Sequence, residues 1–189
     1  EPGYRSGWPV DMAWQNIVGS VGNTIATARL NQATQLKTNL TDAESAYTNA
    51  MFDYNTGWVS SAVTNSGYPS WMFRRAPGFF DVVCYTGTGV ARTVEHNLTV
   101  APEMMIVKDR GISNNWFVYH KATTATKYIV LNVAGAAATA AVVWNDTEPT
   151  VNSFSVGTLS QVNGLGNDFI AYLFATLPDI SKVGSYTGN

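Results

Sequence analysis

In the second half of the chain the apolar positions fall into short runs broken by small polar residues. Residues 80–85 form one such run, ending in the turn-rich Thr86-Gly87-Thr88-Gly89. Residues 91–96 read as a second, more polar strand. Met104, Met105, Ile106 and Val107 are apolar without alternation, which predicts a strand covered on both faces. A turn-rich loop at 109–115 follows. Residues 116–119 and 128–131 then carry the aromatic and β-branched side chains that suit a pleated surface. Residues 154–156 and 169–174 complete the series. Short strands joined by Gly, Asn, Asp and Ser loops predict a mainly all-β fold, of β-sandwich or jelly-roll-like units. One segment departs from this pattern. Thr41-Asp42-Ala43-Glu44 has the form of a capping box, and Ala43, Ala46, Tyr47 and Ala50 recur at helical spacing. They predict a short helix near 42–51. Its counterpart, residues 134–141, is open to either helix or loop.

The chain also repeats itself. Phe73-Arg74-Arg75-Ala76-Pro77 aligns with Phe174-Ala175-Thr176-Leu177-Pro178, an offset of 101 from Pro77 to Pro178. At that offset Tyr85-Thr86-Gly87 matches Tyr186-Thr187-Gly188, Trp71 falls on Tyr172 and Val82 on Val183. Upstream, Val63 and Gly67 fall on Val162 and Gly166 at 99, and Pro9, Met12 and Asn39 fall on Pro102, Met105 and Asn132 at 93. Loops absorb such length differences. A colinear series of this kind predicts tandem repeats. Residues 1–76 are a first, incomplete and diverged unit, and 77–177 a second, complete β-sandwich. Residues 178–189 are the start of a further repeat strand. At offset 93, Glu1 falls on Val94, so the first unit lacks a counterpart of the strand at 80–85. That missing strand and the spare one suggest strand donation. Ser181, Lys182, Val183, Gly184, Ser185, Tyr186 and Thr187 are expected to complete a first unit, in the next subunit or by folding back. The competing reading is that flanks of a longer chain supply both strands. A start at Glu1 rather than Met reads as processing or as a piece of something longer.

The residues resemble a known family. Its marks here are Arg75-Ala76-Pro77-Gly78-Phe79-Phe80-Asp81 with Tyr85-Thr86-Gly87-Thr88-Gly89, then His96-Asn97-Leu98 with residues 101–108. Trp116, Val118, Tyr119, His120 and Lys121 continue it, with Trp144-Asn145-Asp146-Thr147, Val156-Gly157, Val162-Asn163-Gly164 and residues 171–175. Together they resemble a repeat domain of unknown function found in tail-fibre-like and other appendage proteins of marine bacteriophages, of cyanophage type. The resemblance covers residues 73–189 well and 1–72 more loosely. It implies a virion location and supplies no catalytic residues.

Composition narrows the choice. Only 13% of the 189 residues are charged, against roughly 25% in ordinary domains. Low charge with many aromatics leaves surface suited to burial in a partner, so a homo-oligomer and contacts with other virion proteins are expected. Net charge is −2 and no basic run occurs, which argues against nucleic acid as a partner. The longest apolar runs are strand-sized, well short of the roughly 20 residues of a membrane-spanning helix. Cys84 is the single cysteine, so no intrachain disulfide can form. Its neighbours Val82 and Val83 predict a buried thiol.

Chemistry is sparse. His96 and His120 lack metal-ligand spacing, and one cysteine cannot build a thiolate zinc site. Gly87-Thr88-Gly89 and Gly164-Leu165-Gly166 lack the lysine and the length of a phosphate loop and read as turns. Asp146, Glu148 and Asp168 are the carboxylates to weigh for glycoside hydrolysis or calcium. Asn145 to Pro149 reads more simply as a turn. No catalytic, cofactor-binding or metal residue is expected. A glycan contact would fall on Tyr119, His120, Trp144, Asn145 and Asp146, since aromatic faces stack on sugar rings. Core filling by the same aromatics, and by Trp116 or Phe117, is the competing reading. The expected function is a non-enzymatic structural module of a phage tail fibre or similar virion appendage. The alternatives are a carbohydrate-binding module for host surface glycans and a capsid decoration protein.

Overall fold

A computed structural model describes residues 3–16, 22–48, 50–59 and 69–187. The chain is mainly β, arranged in several antiparallel sheets with no barrel. The first half contains β1 (Tyr4–Arg5), β2 (Met12–Asn16), β3 (Thr24–Ala28), β4 (Thr34–Lys37), β5 (Ser45–Ala46), β6 (Gly57–Trp58) and β7 (Ser70–Phe73). The second contains β8 (Phe80–Thr86), β9 (Arg92–Glu95), β10 (Met104–Asp109), β11 (Phe117–His120), β12 (Lys127–Val130) and β13 (Ala138–Thr139). The one-turn helix α1 (Ala141–Trp144), β14 (Ser153–Val156), a second one-turn helix α2 (Ser160–Asn163) and β15 (Asp168–Phe174) complete it.

The two halves share a strand order. One large sheet runs β5-β4-β3-β2-β7, and the other β13-β12-β11-β10-β15 with β8 added beside β15. Each half also has a two-stranded sheet, β1 with β6 and β9 with β14. The correspondence extends to single bonds. Asp11 pairs with Arg29 (3.1 Å) where Glu103 pairs with Lys121 (2.5 Å). Asn39 Oδ1 accepts the Thr24 N–H and Asn39 Nδ2 donates to Asn23, while Asn132 does the same with Trp116 and Asn115. The chain leaves β7 through a turn closed by Ala76 and Phe80, and leaves β15 through a like turn closed by Leu177 and Ser181.

The large sheets pack face to face through like surfaces. Met12, Ala26, Leu36 and Phe73 of the first meet Met104, Val118, Ile129 and Phe174 of the second. Phe73 touches its own counterpart Phe174, with centroids 5.8 Å apart. A residue meets its own equivalent only near a two-fold axis, so the halves are related by a pseudo-two-fold. The outer face of the second sheet is covered by β9, β14 and the two helices, around Trp144, Phe154, Phe169 and Tyr119. The outer face of the first packs against Val10, Phe52 and Trp58.

Three expectations need correction. First, residues 42–51 contain no helix among those described; Ser45–Ala46 is β5. The capping-box groups are used elsewhere. Glu44 forks onto Arg110 (Nη2 to Oε2, 2.8 Å) and accepts from Asn31 and Thr34, and the Thr41 carbonyl accepts the Asn114 N–H. Second, Cys84 is exposed: it shares a face of edge strand β8 with the buried Phe80 and Val82 but lies further along the strand, beyond the apolar cluster that covers them. Third, Met12 corresponds to Met104, not Met105. β2 pairs Met12 with Phe73 and β10 pairs Met104 with Phe174, so the offset here is 92. The Val63 and Gly67 matches lie outside the described residues.

Candidate functional site

Where β2, the β3–β4 hairpin and the end of β12 meet, a cleft of about 510 Å³ opens to solvent. It is lined by Trp14, Thr38 and Asn39 from the first half, and Leu131, Asn132 and Val133 from the second. Asn39 and Asn132 are pseudo-two-fold equivalents, so the cleft straddles the junction of the halves. Each asparagine is fixed by its bonds to backbone and to a second asparagine, which holds the amides rigid. Trp14 forms part of the wall, packed edge-on against Phe73 (6.0 Å). The lining carries amides, hydroxyls, an indole and the aliphatic Leu131, Val133 and Ala134, and no ionisable group. An uncharged, partly apolar lining suits a neutral ligand rather than an anion or a metal.

A second, polar hollow lies between Glu44, Arg110, Asn167 and Asp168. Its charges are already engaged. Arg110 is held by Glu44, Asp168 accepts the Thr86 hydroxyl (2.9 Å), and the buried Asp109 beneath accepts from Gly111, Ile112, Asn114 and Asn167. Among the described residues, no group of three His, Cys, Asp or Glu side chains could hold a metal ion.

The residues expected to touch a glycan lie apart from the cleft. Tyr119 and Trp144 are 2% and 1% exposed and meet edge to face in the core, so neither ring offers a stacking face. The Tyr119 hydroxyl donates to Glu148, which also accepts the Ala125 N–H (2.7 Å). Burial and that bond push the Tyr119 phenol far above its ordinary range. His120 is half-buried at the end of β11, its Nδ1 accepting the Ala122 N–H. Asn145 and Asp146 are exposed and left-handed (φ 55° and 46°), ending α1 as a turn. The two glycine stretches lock together: Gly166 N–H donates to the Gly87 carbonyl, and a Cβ at Gly87 would lie 2.1 Å from the Gly164 oxygen. Sequence reasoning missed Trp14 and the asparagine pair as cleft residues, although the Asn39–Asn132 match was visible as a repeat.

No helix among the described residues is long and apolar enough to cross a membrane. The architecture defines a class: a layered, mainly β protein of two like halves with an uncharged cleft at their junction. Residues 7–189 match the family described as a domain of unknown function, DUF7483, and the chain belongs to that family. No curated protein and no solved structure matches the chain.

Proposed function

We propose that the chain is a non-enzymatic structural module of a tail-fibre-like or similar virion surface appendage, associating with identical copies and with other virion proteins. One observation carries this reading. The interlocked β8–β9 and α2–β15 loops hold Val90 and Leu165 out at one end, 68% and 80% exposed, on a chain only 13% charged. Apolar side chains at the tip of a rigid loop pair are suited to burial in a partner. In sedimentation velocity the protein runs above its 20.4 kDa monomer mass, and the Val90→Ser, Leu165→Ser double variant shifts toward monomer. A monomer at every concentration overturns the reading. Gold-labelled antibody on intact particles tests location, with label on appendages supporting it and label on the shell favouring a decoration protein.

The cleft favours a second reading, a carbohydrate-binding module. Titration with neutral host-surface polysaccharide changes tryptophan fluorescence if sugar lies against Trp14. Val133→Arg, a change at an exposed cleft residue, abolishes that response without loss of fold. An unchanged response in the variant rejects the cleft as the site.

A further inference from the structure

The first large sheet has five strands and the second six. The difference is β8, which leaves the turn after β7, crosses to the other half and pairs with β15. Under the pseudo-two-fold, the segment that leaves the like turn after β15 should cross back and pair with β7. The two turns agree in detail. Ala76 N–H donates to the Phe80 carbonyl and Phe79 N–H to Ala76, and Leu177, Ser181 and Ile180 repeat both bonds. The left-handed residue also recurs, Gly78 at φ 72° and Asp179 at φ 65°. Beyond the turn, Val183 packs into the shared interface as its counterpart Val82 does.

The receiving edge is open. Among the described residues, β7 pairs with β2 alone. Asn16 N–H donates to the Pro69 carbonyl, which sets the phase of that ladder. Alternation then turns Trp71 and Phe73 backbone groups toward β2, and those of Ser70 and Met72 toward the free edge. The missing N–H of Pro69 points inward and costs the free edge nothing. Both partners also carry apolar groups in solvent that their counterparts bury. Trp71 is 52% exposed where Tyr172 is 0%, and Tyr186 is 95% exposed where Tyr85 is 9%. In the structure the segment stops short of the ladder, held by bonds from Ser181 Oγ to the Ala175 carbonyl and from Val183 N–H to Thr176 Oγ1.

We propose that residues 181–187 are the sixth strand of the first sheet, closing the β7 edge of their own chain. The register follows β8 on β15: Ser181 opposite Phe73, Lys182 opposite Met72, Val183 opposite Trp71 and Gly184 opposite Ser70. The strand is short, because β7 offers outward groups at only two residues, so it works as a latch over an edge that would otherwise recruit foreign strands. Own-chain closure has the advantage that the formed turn holds the strand beside its slot.

The test uses Trp71→Cys with Val183→Cys in a Cys84→Ser background. Oxidation of dilute protein is expected to give a disulfide within one chain. Cross-links only between chains, or none, overturn the assignment. Independently, the unmodified protein is compared by hydrogen exchange with a chain ending at Ile180. Amides of Ser70 and Met72 are expected to exchange about tenfold faster or more without the strand, while that of Trp14 is unchanged. Equal rates at Ser70 and Met72 overturn the proposal.

Discussion

Lys108 shows how little of a residue's setting its sequence position conveys. It ends the apolar run 104–107 and reads as a basic strand end, yet it is fully buried. Its ammonium donates to the carbonyls of Asp109 (2.6 Å) and Ile112 (3.3 Å), and burial pulls its pKa down to about 8. The unfolded chain keeps that proton to about pH 10.4. Between pH 8 and about 10 the unfolded state therefore binds more protons, and stability rises with pH by on the order of 2 kcal/mol. Above about 10 the trend reverses, since Tyr85, Tyr119 and Tyr172 are held protonated by burial and ionise only on unfolding. Urea titrations across pH 7 to 11 should show this maximum, and Lys108→Met should flatten its rising limb. His96 gives the acid limb. Burial lowers its pKa, so the unfolded chain protonates first and stability falls as pH drops through about 6.5. Tyr119 and Trp144 teach the same lesson from the apolar side. Alternation along 116–119 left two faces to choose between, and the structure covers both.

At the scale of elements, strands were legible and the helix was not. Each segment read as a strand in the second half became one within a residue or two, because β-branched and aromatic side chains fit a sheet whichever face they meet. The capping box at 41–44 failed because its meaning is local only if nothing distant competes. Here Arg110 competes, and its guanidinium takes the Glu44 carboxylate at both oxygens. Glu44 thereby ties β4, β5 and the end of β10 into one body. Glu44→Ala should cost about 2–3 kcal/mol in denaturant unfolding, because Arg110, Asn31 and Thr34 lose a shared, largely buried partner. Glu44→Gln should recover part of this by keeping an acceptor. The two halves share a strand order, but the register read from the chain is off by one at β2. Matching Met12 to Met105 places the side chain on the wrong face of the sheet, since side chains alternate at every residue. Only the ladder with β7 reveals the extra residue before the strand.

At the scale of the molecule, the face-to-face packing of like surfaces could not be read from the chain. Sequence patterns mark a surface as apolar without naming what covers it. One complete sandwich beside an incomplete unit was the expectation, and the halves pack on each other through a shared apolar cluster. They have also diverged on their outer faces. Gln15 and Thr27 lie buried in the first half where Val107 and Tyr119 fill the second. The first half thus relies on the shared interface more heavily. Leu36→Ala, at that interface, should cost about 2–5 kcal/mol, and both halves should unfold in one transition by circular dichroism and by tryptophan fluorescence.

The contact between Phe73 and Phe174 carries one more implication. A surface that fits its own likeness needs no second invention: one chain carrying it can pair with an identical chain by rotation, with every favourable contact made twice. Joining two such chains end to end removes the dependence of that pairing on concentration. It also frees each copy to change alone. A substitution in the separate chain would strike both sides of the axis at once, whereas in the joined chain it strikes one, and the other side keeps the original fit. Trp14, which borders the uncharged cleft, stands where the other half has Ile106, a difference of the kind that such one-sided change allows.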